Sequence, residues 1–508
     1  MLICRLFSFS LPMLSSFGFV APGIAQDREP ASVISAVPMS ASEAPSNDNR
    51  QAVVSGVLAN GFTYLILPRR GKDTGVAILM RVSGGFLAEQ RPTERGVAHL
   101  IEHLVFLSPT NVAPNEYRRF KQVGFPLTLP EPAGGSTSWR ESDYYVVSRT
   151  NKPDDLDSLA SLFREVSESL TFRSDAIENS RADVLREMAD KKLGNDIFAS
   201  YVAAVAPKSA NDLIDAQNSD GVPSADANTI RQLYNRIYRP ENTTFVMVGD
   251  VDPVATVTML QNRFGNWQAV GPAAPTKTVT SPDLKIAVSK SYSARPYGRN
   301  TTLITSTAIM YKPPRTKQEQ MTTRIMEMIA MRSANARMAQ LYTDYPEGKY
   351  GFYIDNGTQD YHQMMFWDDF VPGRWREATT RLLRLNCSIT TAGFTTDEVN
   401  QAAAAVLSDL SSSAATVADA PNSWLAKELA DAKTSNRELI PPNEMLDFAK
   451  TFVSTNKVAN LNSWWRTKWS AGRHHLRVES PELAMSKNAI GDINTVVDSL
   501  GLDQSCKF

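Results

Sequence analysis

The sequence predicts an α+β protein made of two units. The chain has 508 residues, too many for one compact core and enough for two to four. Period-two strand patterns and long amphipathic helical patterns follow one another along it. A Pro/Thr/Ala-rich stretch, 271–284, divides those patterns into halves that loosely echo each other. This gives an N-terminal domain over 51–270, a linker over 271–284 and a C-terminal domain over 285–508.

Hydrophobic content of 42%, charged content of 21% and a formal charge of -1 are ordinary for a globular protein. They argue against a nucleic-acid partner or a polybasic membrane face. Arg5, the mostly apolar run Leu6 to Val20 and the small residues of Gly23-Ile24-Ala25 read as a cleaved signal peptide over 1–25. The expected location is periplasmic or secreted. No later run of eighteen apolar residues occurs, so no stable membrane insertion is expected. Residues 26–50 are Ser/Ala/Pro/Asn-rich and read as a flexible leader. Of three cysteines, Cys4 leaves with the signal peptide. An oxidising compartment permits Cys387 and Cys506 to pair, but sequence cannot set their separation.

Taken in order, Val53 to Val57 and Thr63 to Leu67 flank Asn60-Gly61, a hairpin signal. Val76 to Val82 is a third strand, ended by Gly84-Gly85. A helix follows around His99, and another runs from Pro114 to Gly124. Leu127 to Gly135 reads as a Pro/Gly-rich loop and Ser136 to Val147 as one strand. Asp154 to Leu170 and Ser174 to Lys192 have helical spacing, Thr244 to Val248 is a buried strand, and Val254 to Phe264 is helical. The second half restarts with a strand at Thr302 to Met310 and helices at Glu319 to Leu341 and Asp397 to Leu410.

The chemistry concentrates in one turn, His99-Leu100-Ile101-Glu102-His103. Residues four apart on a helix share a face, so both imidazoles can address one point. Two neutral imidazoles suit Zn²⁺, and a neighbouring carboxylate can act as a base on an activated water. The spacing is the inverted form of H-E-x-x-H. A lone histidine is more often a core or surface residue. Only five histidines occur in the chain, however, which makes a chance H-x-x-E-H rare. His474-His475 are adjacent, with diverging side chains, and read as surface. No histidine pair of this spacing recurs in the second half. A third ligand is expected from a neighbouring helix, where Glu178, Asp183 and Glu187 are the candidates.

GVAHLIEHLVF (96–106) resembles the signature of the pitrilysin, insulin-degrading-enzyme and mitochondrial-processing-peptidase family of inverted-motif zinc metallopeptidases. LANGFTYLILP (58–68), GGSTSWRESDYY (134–145), SRADVLREM (180–188) and YRPENTTFVMVGDVD (238–252) resemble further family motifs in order. The resemblance implies two related α/β sandwich domains, each a mostly antiparallel sheet packed by helices. It implies one Zn²⁺ per chain held by His99, His103 and Glu187, with Glu102 as the catalytic base. It implies substrate contacts from Thr137, Ser138 and Tyr350. Ser180 stands where the family carries a glutamate, and Asp183 is a substitute beside the ligands. Gly134 replaces an asparagine, and Thr343 lies at an expected arginine, with Arg337 as an alternative. The implied function is a zinc endopeptidase acting on peptides or unfolded polypeptides; the alternative is a catalytically weak or inactive partner subunit. Four such domains enclose the family's site, so a dimer is expected, a heterodimer with a related chain ahead of a homodimer.

Overall fold

The computed structural model describes residues 53–71, 75–106, 133–138, 140–192, 220–271, 288–293, 301–309, 314, 316–343, 349–358, 361–416, 420–455, 458–502 and 506. The signal peptide, the leader, the helix expected at Pro114 and nearly all of the linker lie outside them.

The first sheet contains β1 (Val54–Val57), β2 (Thr63–Pro68), β3 (Val76–Ser83), β4 (Ala133–Thr137), β5 (Glu141–Ser148) and β6 (Thr243–Gly249). Its order is β1-β2-β6-β3-β5-β4; β2 and β6 are parallel and every other pair is antiparallel. Its helices are α1 (Val97–Phe106), α2 (Pro153–Glu168), α3 (Ser174–Lys192), α4 (Ala227–Ile237) and α5 (Pro253–Phe264). The second sheet contains β7 (Val288–Ser293), β8 (Thr301–Ile309), β9 (Lys349–Thr358), β10 (Tyr361–Asp369) and β11 (Arg473–Glu479), in the order β7-β11-β8-β10-β9. Here β7 and β11 are the parallel pair. With β1 set aside, the two orders are the same: first strand, last, second, fourth, third. The α+β class read from the sequence holds, and the loose echo between halves is a repeated topology.

The second unit's helices are α6 (Lys317–Leu341), α7 (Trp375–Thr391), α8 (Thr396–Thr416), α9 (Asn422–Thr434), α10 (Pro442–Thr455), α11 (Val458–Ala471), α12 (Pro481–Met485) and α13 (Ala489–Ser499). Cys387 on α7 is disulfide-bonded to Cys506. No helix among the described residues is long and apolar enough to cross a membrane.

Local sequence explains these elements. Asn60 closes the β1–β2 hairpin: its side-chain amide donates to the carbonyls of Phe264 (2.7 Å) and Trp267 (2.9 Å), while Gly61 takes φ 91°. β3 is buried along Val76 to Val82 because β6 and β5 flank it and both its faces are covered. The front face of the first sheet, with Ile78, Met80, Tyr144 and Phe245, packs on Val97, Leu100, Ile101, Leu104 and Val105 of α1.

The back face is covered from the other half of the chain. Leu65, Ala77, Leu79, Val246 and Val248 pack on Ala426, Leu429 and Ala430 of α9. Polar contacts pin both ends of that helix. Arg69 donates to the Ala420 carbonyl (2.7 Å) and to Asn422 Oδ1 (2.6 Å), and Asn422 Nδ2 donates to the Gly75 carbonyl (2.7 Å). At the other end, buried Arg81 forks onto both Asp143 oxygens (2.7 Å each) and donates to Asp431 (2.7 Å) and Thr434 (3.0 Å).

Two readings need correction. Ser136 to Val147 is not one strand: β4 and β5 form an antiparallel hairpin, and β4 begins inside the stretch read as loop. Ser138 makes the turn, its Oγ accepting from the N–H groups of Arg140 (3.2 Å) and Glu141 (3.4 Å). His474-His475 is not a surface pair. Its side chains do alternate, but β11 lies between β7 and β8, and His475 is buried. His474 is half-buried, with Nε2 3.0 Å from the Trp469 carbonyl.

Candidate metal centre

Gly96 precedes α1, and its φ of 81° turns the chain into the helix. Glu89 covers that end: its carboxylate accepts from the N–H groups of Gly96 (3.1 Å) and Ala98 (2.9 Å), two donors without helical partners. With the apolar side of α1 in the core, His99 and His103 lie one above the other, their Nε2 atoms 3.2 Å apart. α3 packs alongside. Its Val184 and Met188 are buried, which sets Glu187 at the seam between the helices. Glu187 Oε2 lies 3.4 Å from each histidine Nε2.

Ligand bonds of about 2.0–2.1 Å at tetrahedral angles place neighbouring ligand atoms about 3.3 Å apart. The three separations here match that spacing, and two imidazoles with one carboxylate are a donor set that Zn²⁺ accepts. His99, His103 and Glu187 are the one such metal-binding group among the described residues. Glu178 is paired with Arg181 (3.2 Å) and Asp183 with Arg186 (2.6 Å), so neither joins it. The Glu187 side chain is 41% exposed, so one side of the group faces solvent.

Glu102 stands beside this group and outside it, with Oε2 4.0 Å from His99 Nε2. Burial pushes its carboxyl above the usual range, against the pull of the two histidines and a hydrogen bond from Thr137. Its cover is the β4–β5 hairpin. A side chain at Gly135 would place Cβ 2.7 Å from the Phe106 ring and 2.9 Å from Glu102 Oε1. The paired glycines of 134–135 were the available signal for this close approach. At Gly134 a Cβ would meet the tip of the Tyr145 ring, so a side chain there requires that ring to move.

The remaining sequence candidates fall elsewhere. Ser138 Oγ donates to Glu141 Oε1 (2.7 Å) within the turn, so its hydroxyl serves the hairpin. The Tyr350 ring lies tilted against that of Tyr342, centroids 4.2 Å apart. Arg337 is paired with Glu398 and with the Gly393 carbonyl. Ser180 is buried on α3, and no hydrogen-bond partner for its hydroxyl occurs among the described residues. Sequence reasoning missed Glu89, Gly135, Ser142, Tyr144 and Tyr238, which surround Glu102 and the start of α1.

Residues 65–203 match the family model of the insulinases (peptidase family M16), and residues 224–413 match the model of the M16 inactive domain. The chain is similar to the probable zinc protease PqqL of Escherichia coli, at 22% identity over 436 residues, covering 82% of this chain and 45% of that protein. It is also similar to the chloroplastic stromal processing peptidase of Pisum sativum, at 29% identity over 224 residues, 41% of this chain and 16% of that one. The chain thus spans less than half the length of these relatives. In fold it resembles the crystal structure of the first half of the periplasmic protease PqqL from Escherichia coli. The TM-score is 0.71 at 19% identity, covering 90% of this chain and 98% of that one. Two family models in sequence along one chain, over a twice-repeated strand order, have one reading: the chain belongs to peptidase family M16.

Proposed function

We propose that this chain is a zinc-dependent endopeptidase, with one Zn²⁺ per chain, that hydrolyses peptides or unfolded polypeptides in the periplasm. The observation that carries the reading is the spacing of His99, His103 and Glu187, 3.2 to 3.4 Å between ligand atoms, with Glu102 beside them. Zn²⁺ held there supplies Lewis acidity to the scissile carbonyl and to the attacking water. Glu102 takes the proton from that water and passes it to the leaving amine. β4 is the edge strand of its sheet and packs against α1, which favours an extended peptide adding to it by main-chain pairing. That mode selects unfolded over folded substrates, with Gly135 of the strand against the base. The periplasmic assignment rests on the N-terminal signal pattern and on the described location of the PqqL protein from Escherichia coli.

Half the length of the PqqL relative leaves room for a second chain to close the site, a related chain ahead of a second copy. Metal analysis combined with peptide turnover, alone and with candidate partners, tests the proposal. About one zinc per chain and turnover abolished by Glu102→Gln, with zinc retained, is the expected result. Stoichiometric zinc without turnover under any pairing would make the chain an inactive partner subunit instead.

A further inference from the structure

β9 is an edge strand of the second sheet, as β4 is of the first, and each comes after the helix that packs on it. An edge strand carries a row of outward N–H and C=O groups that can pair with another extended chain. In an antiparallel pair, alternate residues turn both groups towards the partner strand or both away from it. On β4 the Ser138 N–H donates to the Glu141 carbonyl across the hairpin (2.8 Å), so Ser138 faces β5, while Gly135 and Thr137 face outward. On β9 the corresponding groups of Phe352 are already taken. Asn335 Nδ2 on α6 donates to the Phe352 carbonyl (2.8 Å), and the Phe352 N–H donates to Asn335 Oδ1 (2.9 Å). Among the described residues β10 is the one strand paired with β9, so Phe352 turns both groups away from it, to the outer edge.

One side-chain amide thereby makes the two bonds that a residue of an added strand would make. Its surroundings hold it there. Ala334 and Met338 are buried in the core, which sets Asn335 at the seam between α6 and β9. Its second amide hydrogen goes to the Met331 carbonyl (2.8 Å), so both are used. The Phe352 ring is buried against Phe366 and Trp465, with centroids 4.4 and 5.0 Å away, which fixes β9 at this point. The ends of the strand are blunted too: Lys349 is exposed at its start, and near its finish the register against β10 shifts between Tyr361 and Gln363. We infer that Asn335 is a specificity-determining residue: it closes the outer edge of the second sheet, so that an extended peptide pairs with β4 beside the metal ligands and is turned away from β9. A peptide held on β9 would lie against α6, which carries no histidine, and would not be cut. The closure is a matter of geometry alone; the peptidase reading supplies only what the edge would otherwise take.

The test is hydrogen exchange read at single amides of the full chain, which needs no turnover. The Phe352 amide should exchange at least about tenfold more slowly than that of Ile354, which faces the same way two residues on. Asn335→Ala should bring the two within about threefold, with zinc content and circular dichroism unchanged. A short unstructured peptide of Ser, Thr, Val and Lys is then added on the Glu102→Gln background, where it is bound without being cleaved. It should protect the Phe352 amide of the Asn335→Ala variant again and leave β9 unchanged where Asn335 is present. Equal exchange of Phe352 and Ile354 with Asn335 in place would overturn the closure, and that comparison requires no variant to fold. Peptide protection of β9 in the presence of Asn335, or none in its absence, would overturn the role in specificity. Absence of peptide hydrolysis by the unmodified chain would count against the peptidase reading alone, since exchange at Phe352 does not depend on it.

Discussion

A methyl group at Gly135 would sit 2.9 Å from Glu102 Oε1 and 2.7 Å from the Phe106 ring. The Phe106 ring is packed in the core, so the Glu102 carboxylate, at the free end of its side chain, is the neighbour that gives way. Gly135→Ala is therefore expected to swing the Glu102 carboxylate aside, lowering kcat about 10²-fold while zinc content stays at the unmodified level. Kinetics and metal analysis on the same preparation check this. The complementary prediction concerns the ligands: His99→Ala, His103→Ala and Glu187→Ala should each lose bound metal and keep the circular dichroism of the fold, because the group lies at the rim of a large core. Elemental analysis reads the loss; stoichiometric zinc in the Glu187 variant would move the third ligand elsewhere. His99, Glu102 and His103 were legible in the sequence because their geometry is local, set by one helical turn. Glu187 is far along the chain, and the bare sequence left it level with Glu178 and Asp183 until a motif singled it out. The paired hydroxyls of Thr137 and Ser142 were not legible at all. Their contacts depend on the register of β4 against β5, and reading 136–147 as a single strand concealed that there was any register.

At the scale of elements, α1 is positioned by its neighbours as much as by its own residues. A short turn before it, Pro92–Glu94, is fixed by Glu94. That carboxylate accepts from the Arg236 guanidinium at 2.9 and 3.0 Å, from the N–H of Gln90 and from Arg91. Burial works to raise the Glu94 carboxyl, but these bonds outweigh it and bring it down to about 2. A carboxyl held below its ordinary value adds stability that is complete above about pH 4.5 and is lost as pH falls towards 2. The contribution is about 2 kcal/mol after allowance for solvent screening. Urea denaturation between pH 6 and pH 3 should show this loss in the unmodified chain, and Glu94→Gln should flatten the curve in that window. The repeated strand order carries a second lesson. α6 occupies in the second unit the place α1 holds in the first, between the second and third strands of the shared order, yet it contains no histidine. Element type and order were readable from periodicity, while the identity of the two topologies required knowing which strands pair.

At the scale of the whole molecule, Arg81 and α9 join the two units. Removing one partner of a buried ion pair strands the other, at a cost of about 3–5 kcal/mol. Arg81→Ala leaves buried Asp143 and its neighbour Asp431 with only the more exposed Lys427, at 3.6 and 2.7 Å, so a single, lower melting transition is expected by calorimetry. A fragment of residues 53–271 carries every metal ligand but bares Leu65, Ala77, Leu79, Val246 and Val248. Expressed alone it should aggregate, and co-expression with 288–508 should recover soluble, zinc-binding material, as gel filtration would show. The Pro/Thr/Ala-rich stretch was legible as a place where the backbone changes character, but composition says nothing of a helix that returns across it. That return has an evolutionary consequence. β5 sends Tyr144 into the core beneath α1 and Asp143 towards α9, so the strand is selected from both sides at once. Changes inherited in α9, on the opposite face of the sheet from the histidines, will be felt in the packing beneath α1, and the two halves of the gene are bound to vary together.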